Sequence, residues 1–170
     1  MVNKHFLKLK TQNLKKYLCF ILFMFFLSVS FYFRQNIYFY IGNQFFGGKI
    51  GYGSYHISLY NIEVSEYFLL KANDFDKKII WNNYQLSRVY FIKGDLYKAV
   101  QYSNRELEYF PDNCRTHYIR GLAYGYKNDL DNAISDFEKF NTCFPLSWAG
   151  HNDLAWFWFR KGNMQKVVDV

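Results

Sequence analysis

The sequence predicts an all-α fold: a solenoid of helix hairpins preceded by a single transmembrane helix. Three observations support this prediction. An uncharged apolar run lies near the N-terminus, a residue pattern recurs every 34 positions in the second half, and glycines and prolines fall at fixed places in that pattern. Only two prolines and ten glycines occur in 170 residues, which excludes collagen-like or low-complexity material.

The positive charge of the chain is concentrated at its N-terminus. The formal net charge is +7, and residues 1–16 supply +5 of it without an acidic residue, through Lys4, Lys8, Lys10, Lys15 and Lys16. The other 154 residues carry 16 basic and 14 acidic side chains. Because the remainder is nearly neutral, we expect no nucleic-acid partner. Residues 1–16 are interpreted as a basic cytoplasmic tail.

Residues 17–33 are uncharged and predict a transmembrane helix. Seventeen helical residues span roughly 25 Å, near the lower limit for a hydrocarbon core about 30 Å thick. The aromatic residues that follow allow the helix to extend toward residue 46, since such rings suit the membrane–water interface. The lipid bilayer is therefore one predicted partner of the chain, through residues 17–33.

The preceding lysines predict the orientation of this helix. Basic residues stay on the cytoplasmic side, so the N-terminus is cytoplasmic and everything after Arg34 is extracytoplasmic in a single-pass protein. A cleaved signal peptide is the alternative. Ser28-Val29-Ser30, followed by bulky aromatic residues, matches a cleavage site poorly, which favours an uncleaved anchor.

A period of 34 residues organises the chain from about residue 80 onward. Aromatic, lysine and small residues recur at this spacing, and Pro111 and Pro145 close the first two units. The aligned sets are Tyr90, Tyr124 and Trp158; Lys93, Lys127 and Lys161; and Ala99, Ala133 and Val167. Such a period is typical of stacked supersecondary units, each of which buries its apolar face against its neighbours.

Each unit carries the signals of a helix hairpin. In the first unit Gly94 ends one helix and Asp95 caps the next. The small side chain of Ala99 lets the paired helices approach closely, and Pro111 stops the second helix, predicted to run from about Leu96 to Tyr109.

Segments 80–113 and 114–147 resemble tetratricopeptide repeats. The family pattern is read in Leu86, Tyr90, Gly94, Ala99 and Pro111, and again in Gly121, Tyr124, Ala133, Phe137 and Pro145. Arg120 departs from it, because that position is usually apolar. Residues 148–170 resemble an incomplete third repeat and residues 60–79 a degenerate repeat helix, whose partner would lie near Gln35–Phe46. Residues 34–59 form an aromatic and glycine-rich connector.

The resemblance implies a tetratricopeptide-like helix-hairpin solenoid with a concave groove that binds a protein or peptide partner. By analogy with the family, the groove residues lie on the first helix of each repeat. They are Trp81, Tyr84, Arg88 and Phe91, then Arg115, Tyr118, Leu122 and Tyr126, then Asn152, Trp156 and Arg160. Aromatic and arginine side chains commonly anchor interfaces. The alternative is that these aromatic rings pack between hairpins.

Catalytic, metal and cofactor sites are not expected. His117 and His151 are one repeat apart, so the period explains them as one structural position rather than a metal pair. The glycines of residues 47–53 lack the closing Gly-Lys-Ser/Thr and the preceding strand of a phosphate loop. The chain is predicted not to be an enzyme and to need no cofactor.

Cys114 and Cys143 fall at the same end of the second hairpin and leave two readings open. In an oxidising compartment they would close a loop of about 30 residues, with a stabilisation of roughly 3–4 kcal/mol. Otherwise they are two half-buried thiols.

The function predicted from the sequence is a membrane-anchored, non-catalytic scaffold for protein–protein interaction. The chain is rich in Lys, Asn, Phe and Tyr, a composition typical of proteins from AT-rich bacterial genomes. The alternative is an accessory or N-terminal part of a larger envelope enzyme or assembly complex. An unfinished last hairpin, with aromatic residues 156–158 uncovered, favours that alternative.

Overall fold

A computed structural model describes residues 4–46 and 61–169, with side chains from residue 15 onward. These residues form helices without a strand. The helices are α1 (Lys4–Tyr32), α2 (Arg34–Phe45), α3 (Ile62–Phe75), α4 (Asn82–Ile92), α5 (Leu96–Tyr109), α6 (Cys114–Tyr126), α7 (Leu130–Cys143), α8 (Trp148–Arg160) and α9 (Met164–Asp169). The glycine-rich part of the predicted connector lies outside the described residues.

Helix α1 runs through the basic segment and the apolar run without interruption. Its 29 residues begin at Lys4, so the lysines predicted as a tail belong to the same helix as the apolar residues. The segment Lys15–Tyr32 is long and apolar enough to cross a membrane, and none of it is buried in the protein. Its length and composition fit a membrane span and an N-terminal signal sequence alike.

Phe33 separates α1 from α2, and α2 packs along α3 as a hairpin. Gly42 makes the close approach possible, since a Cβ atom there would lie 2.8 Å from Leu69 Cγ. Ser65 Oγ donates a hydrogen bond of 2.8 Å to the Gly42 carbonyl oxygen. Much of the first part of the predicted connector is therefore helical, and it pairs with α3.

The turns inside the later hairpins follow the chemistry predicted from the period. Gly94 and Gly162 have φ values of +77° and +81°, the left-handed conformation that glycine adopts without steric cost. Asn128 takes φ +63° at the intervening position. The Asp95 and Asp129 carboxylates accept hydrogen bonds from backbone amides in the first turn of α5 and α7. These signals end α4 and α6 and start the helices that follow.

The apolar core continues from hairpin to hairpin instead of closing within one. A first cluster extends from Phe46 and Leu69 to Ala123, and a second joins Phe137 on α7 to Phe157 on α8. Tyr124 packs against both clusters. Such nearest-neighbour packing is the defining property of a solenoid.

A disulfide joins Cys114, the first residue of α6, to Cys143, the last residue of α7. Their Cα atoms lie 6.3 Å apart, within the usual range for this bond. The sequence left open whether these two cysteines pair or remain thiols, and in the structure they are paired. The disulfide therefore holds together the start of α6 and the end of α7, opposite the turn that connects these two helices.

Candidate binding groove

Three adjoining cavities lie along the face formed by α4, α6 and α8, the first helices of the repeats. Tyr84 and Tyr118 line both of the first two, which have volumes of about 290 and 420 Å³. The third cavity, of about 580 Å³, lies between α6 and α8. Its walls combine apolar and polar groups: Leu122, Gly125, Tyr126, Asn152, Asp153, Trp156, Phe157 and Arg160. The third cavity shares no lining residue with the first two, but the Tyr118 hydroxyl bonds to Asp153 in its wall. The three cavities together are called the groove below.

Tyr118 lies at the centre of the groove. Its ring packs against Phe137 and Phe140, with centroid distances of 5.4 and 4.9 Å. Its hydroxyl donates a hydrogen bond of 2.7 Å to Asp153 Oδ2 on α8. Burial, together with this bond to a carboxylate, raises the pKa of the Tyr118 hydroxyl. Tyr118 therefore holds α6 against α8 and is half-buried, with part of its ring forming the groove wall.

Two of the aromatic side chains predicted for the groove are exposed. Tyr126 is 71% exposed and Trp156 is 54% exposed, and both line the third cavity. The Tyr126 ring also meets Phe91 edge-on at 5.6 Å, which connects the third cavity to the α4 side of the groove. Trp156 stacks on Phe159 at 5.6 Å, and the remaining exposed surface of the two rings is available to a ligand without rearrangement of the core.

The predicted groove arginines have partners within the protein. Arg88 Nη1 donates to Gln85 Oε1 at 3.1 Å, and its guanidinium lies 4.3 Å from the centroid of the Phe46 ring. Arg160 donates to the Gly125 carbonyl oxygen at 3.0 Å and to Asn128 Oδ1 at 2.8 Å. These bonds position the arginines as parts of the groove wall.

Trp81 differs from the other predicted groove residues in its position. Its φ of +71° turns the chain just before α4, and its side chain lines a separate cavity of about 340 Å³ with Ile80, Tyr109 and Pro111. This cavity lies at the turns between repeats. Trp81 touches the groove only indirectly, through an edge-on contact with the Tyr84 ring at 5.5 Å.

Sequence reasoning missed several residues of the groove. Asp153 and Phe144 line it but were not selected, nor was Phe140 on the second helix of its repeat. Phe144 follows the end of α7, and its ring lies 5.7 Å from the Arg115 guanidinium. The helical spacing could have indicated Asp153, because it lies one turn before Trp156 and Phe157 on α8 and therefore on the same face.

A buried ionic cluster lies between α6 and α7. Asp136 accepts hydrogen bonds from Arg120 Nε and Nη2, both at 2.7 Å, and lies 2.8 Å from His117 Nδ1. Burial alone would raise the pKa of the Asp136 carboxyl, but the bonds from Arg120 and His117 outweigh it and hold that pKa below its usual range. Arg120, the departure from the family pattern, thus has a buried partner.

His117 and His151 occupy the same register but have different partners. His151 Nε2 lies 2.9 Å from the Pro145 carbonyl oxygen, six residues back in the chain. Asn83, a further repeat upstream, donates to the Lys77 carbonyl oxygen at the same offset. In the part of the chain that the structure describes, no group of three or more His, Cys, Asp or Glu side chains is arranged to hold a metal ion.

Glu106 is fully buried and caps α4 from the neighbouring helix α5. Its carboxylate accepts hydrogen bonds from the backbone amides of Trp81 and Tyr84, at 2.8 and 3.2 Å, and from the Asn113 side chain at 2.8 Å. Burial raises the pKa of the Glu106 carboxyl above its ordinary value, although these bonds oppose the rise. The carboxylate satisfies amides at the N-terminus of α4 that would otherwise lack partners.

The stacked hairpins and their elongated groove define the class of this protein as a helical-repeat solenoid. Residues 115–141 match the family model described as tetratricopeptide repeat. A TPR repeat-containing protein of Methanocaldococcus jannaschii is 33% identical over 64 residues, which cover 38% of this chain and 18% of that protein.

Solved structures show the same fold. The crystal structure of MamA superposes with a TM-score of 0.63 at 18% identity, covering 67% of each chain. MamA from Desulfovibrio magneticus, from residue 41 to its end, gives a TM-score of 0.61 at 18% identity over 66% of this chain and 64% of that one. These findings confirm the predicted tetratricopeptide-like helix-hairpin solenoid and support the tetratricopeptide repeat family.

Proposed function

We propose that this chain is a membrane-anchored scaffold that binds a protein partner in the groove between α4, α6 and α8, without catalytic activity or a cofactor. The observation that carries the proposal is the row of three cavities along three successive first helices. The exposed rings of Tyr126 and Trp156 line the third cavity. An elongated site of this kind fits an extended segment or a helix better than a compact small molecule.

The chemistry of the groove favours a peptide chain as its ligand. Tyr118, Tyr126 and Trp156 offer ring surface, while Asn152 and Asp153 offer polar groups beside them. Mixed apolar and polar walls can bury alternate side chains of a partner and hydrogen-bond its backbone. Aromatic residues are the commonest anchors of such contacts.

Two independent features support an anchor with extracytoplasmic repeats. The apolar side chains of Lys15–Tyr32 have no protein cover, and the lysines precede them, which favours a cytoplasmic N-terminus. The Cys114–Cys143 disulfide favours an oxidising compartment for the repeats, since cytosolic thiols are normally kept reduced. Both features favour the same orientation.

Photo-crosslinking from Tyr126 tests the groove. A crosslinking amino acid placed at Tyr126 should capture a protein in native membranes, whereas the same residue at Tyr97 should not. Tyr97 is the matched control, because it is also a tyrosine with 71% exposure but lies on α5, outside the three groove helices. Equal capture from both positions, or recovery of lipid or glycan instead of protein, would contradict the groove proposal.

A reporter that is active only outside the cytoplasm, fused after Val170, tests the orientation. We expect an active fusion that remains in the membrane fraction with residue 1 intact. An inactive fusion contradicts the topology, and a shortened, released product identifies the cleaved signal peptide instead. If the protein captured from Tyr126 is a subunit of an envelope enzyme, the alternative role as an accessory part of a larger complex gains support.

A further inference from the structure

The turns that connect successive hairpins lie along one edge of the solenoid. This edge, called the proximal edge, comprises residues 75–81, 110–113 and 144–147. Two sets of contacts connect these turns. The Glu106 carboxylate accepts hydrogen bonds from the Trp81 amide and from the Asn113 side chain, and the disulfide joins the start of α6 to the end of α7. The starts of α2, α4, α6 and α8 are thus directed to the same side.

The candidate span ends at this edge. Arg34 begins α2, two residues after α1 ends, and its guanidinium lies 4.0 Å from the centroid of the Phe31 ring. The same guanidinium lies 4.1 Å from the centroid of the Phe75 ring, at the end of α3. The Tyr38 ring stacks on Phe75 at 5.6 Å. The proximal edge therefore starts at the boundary of the span, whatever the angle between α1 and α2.

The side chains of the proximal edge suit a membrane interface. Ile80 is 52% exposed and Leu146 is 96% exposed, although both are large apolar residues. Trp81 and Tyr109 line the cavity beside Ile80, and Lys78 Nζ lies 5.4 Å from the centroid of the Tyr109 ring. Rings with a polar edge and lysines with long apolar stems are typical of the headgroup region.

The opposite edge has polar hairpin turns, which read Lys-Gly-Asp at 93–95, Lys-Asn-Asp at 127–129 and Lys-Gly-Asn at 161–163. Ile92 and Tyr97 beside these turns are exposed as well, so the feature that distinguishes the proximal edge is its contact with the end of the candidate span. On the proximal edge the charges balance, with two basic side chains (Lys77 and Lys78) against two acidic ones (Asp76 and Asp112). Apolar contact, rather than attraction to anionic lipid, is therefore the basis on which this edge would meet a bilayer.

We propose that the repeats rest on the headgroup region of the bilayer that holds α1, with Ile80 and Leu146 of the proximal edge in contact with lipid. The proposal depends on the membrane anchor of the proposed function. Three points of contact, the end of α1, Ile80 and Leu146, direct this edge of the solenoid toward the bilayer. The groove is then held beside the membrane surface, where a membrane-bound partner reaches it.

Depth-dependent quenching in vesicles tests this contact with the full chain. An environment-sensitive fluorescent amino acid is placed at Ile80, Leu146 or Tyr97, and each protein is reconstituted into phosphatidylcholine vesicles containing a headgroup-nitroxide lipid. Tyr97 serves as the control because α5, with 14 residues, separates the two edges by about 20 Å. We expect several-fold stronger quenching at both Ile80 and Leu146 than at Tyr97.

A fourth protein, with the fluorescent residue at Phe25, separates the two proposals. Strong quenching of Phe25 by lipid that carries the nitroxide in its acyl chain reports the span itself. If Phe25 is quenched but Ile80 or Leu146 behaves like Tyr97, the proximal-edge contact is overturned and the anchor stands. If Phe25 is not quenched, the anchor and the contact that depends on it are both overturned.

Discussion

Replacing Asp136 with asparagine removes the negative charge from the buried cluster between α6 and α7. Asp136 is almost completely buried, and Arg120 binds it through two hydrogen bonds of 2.7 Å. Asparagine is nearly isosteric but can accept on only one oxygen, so its NH₂ group would face a donor of Arg120 or His117. The substitution therefore leaves a buried guanidinium without its counter-charge.

The expected loss of stability is about 3 kcal/mol at neutral pH. Breaking a buried pair by removing one partner typically costs about 3–5 kcal/mol. The lower end applies here, because the Arg120 side chain keeps 16% exposure and a second bond of 2.7 Å to Asn104 Oδ1. Urea unfolding of the full chain in detergent micelles, followed by the fluorescence of the tryptophans on α8, measures this loss.

The pH dependence gives this prediction a second readout. The pKa of Asp136 is lowered in the folded protein, so its contribution is present above the pKa of an unfolded Asp and is lost as pH falls through the folded pKa. The stability difference between the native protein and Asp136→Asn should accordingly shrink below about pH 4. A difference that is absent at pH 7, or that persists unchanged in acid, would refute the reasoning.

A double replacement provides the control. In the repeats on either side, the positions equivalent to Arg120 are Leu86 and Leu154, and both leucines are buried. Arg120→Leu combined with Asp136→Leu removes both charges, and such apolar replacements of buried pairs are often close to neutral. We expect the double variant to be more stable than Asp136→Asn. The reverse order would show that the damage comes from lost packing rather than from the unpaired charge.

Three further changes test the packing of the repeats in the same unfolding assay. Replacing Cys114 and Cys143 with serine should lower the free energy of unfolding by roughly 3–4 kcal/mol, because the bond constrains a long loop in the unfolded chain; the native protein in reductant should match this variant. Gly125→Ala should cost about 1–3 kcal/mol, since the added methyl group overlaps the buried Phe157 ring. At Gly94 a Cβ atom would meet open space, but the φ of +77° strains any other residue, so Gly94→Ala should lower the free energy of unfolding by about 1 kcal/mol. If Gly125→Ala costs no more than Gly94→Ala, the packing argument is contradicted.

The repeat period and local signals by themselves predicted most of the solenoid. Helix α5 runs from Leu96 to Tyr109 as expected, because Asp95 caps its start and Pro111 stops it. Both signals act through the backbone of the residues beside them, so no knowledge of distant parts of the chain is needed. The apolar run of α1 is equally local, since its length and composition alone qualify it as a candidate span.

The tertiary structure decided how side chains on different helices meet. Arg120 departs from the repeat pattern, and the structure places Asp136 of α7 beside it. Trp81 was predicted to line the groove, and the structure places it, with a left-handed φ, at the proximal edge. Sequence spacing locates a residue on its own helix, whereas distances between helices depend on packing angles and close approaches such as that at Gly125. The resemblance to tetratricopeptide repeats implied a groove on the first helices, whereas the Tyr118–Asp153 bond and the Cys114–Cys143 disulfide depend on how the hairpins stack.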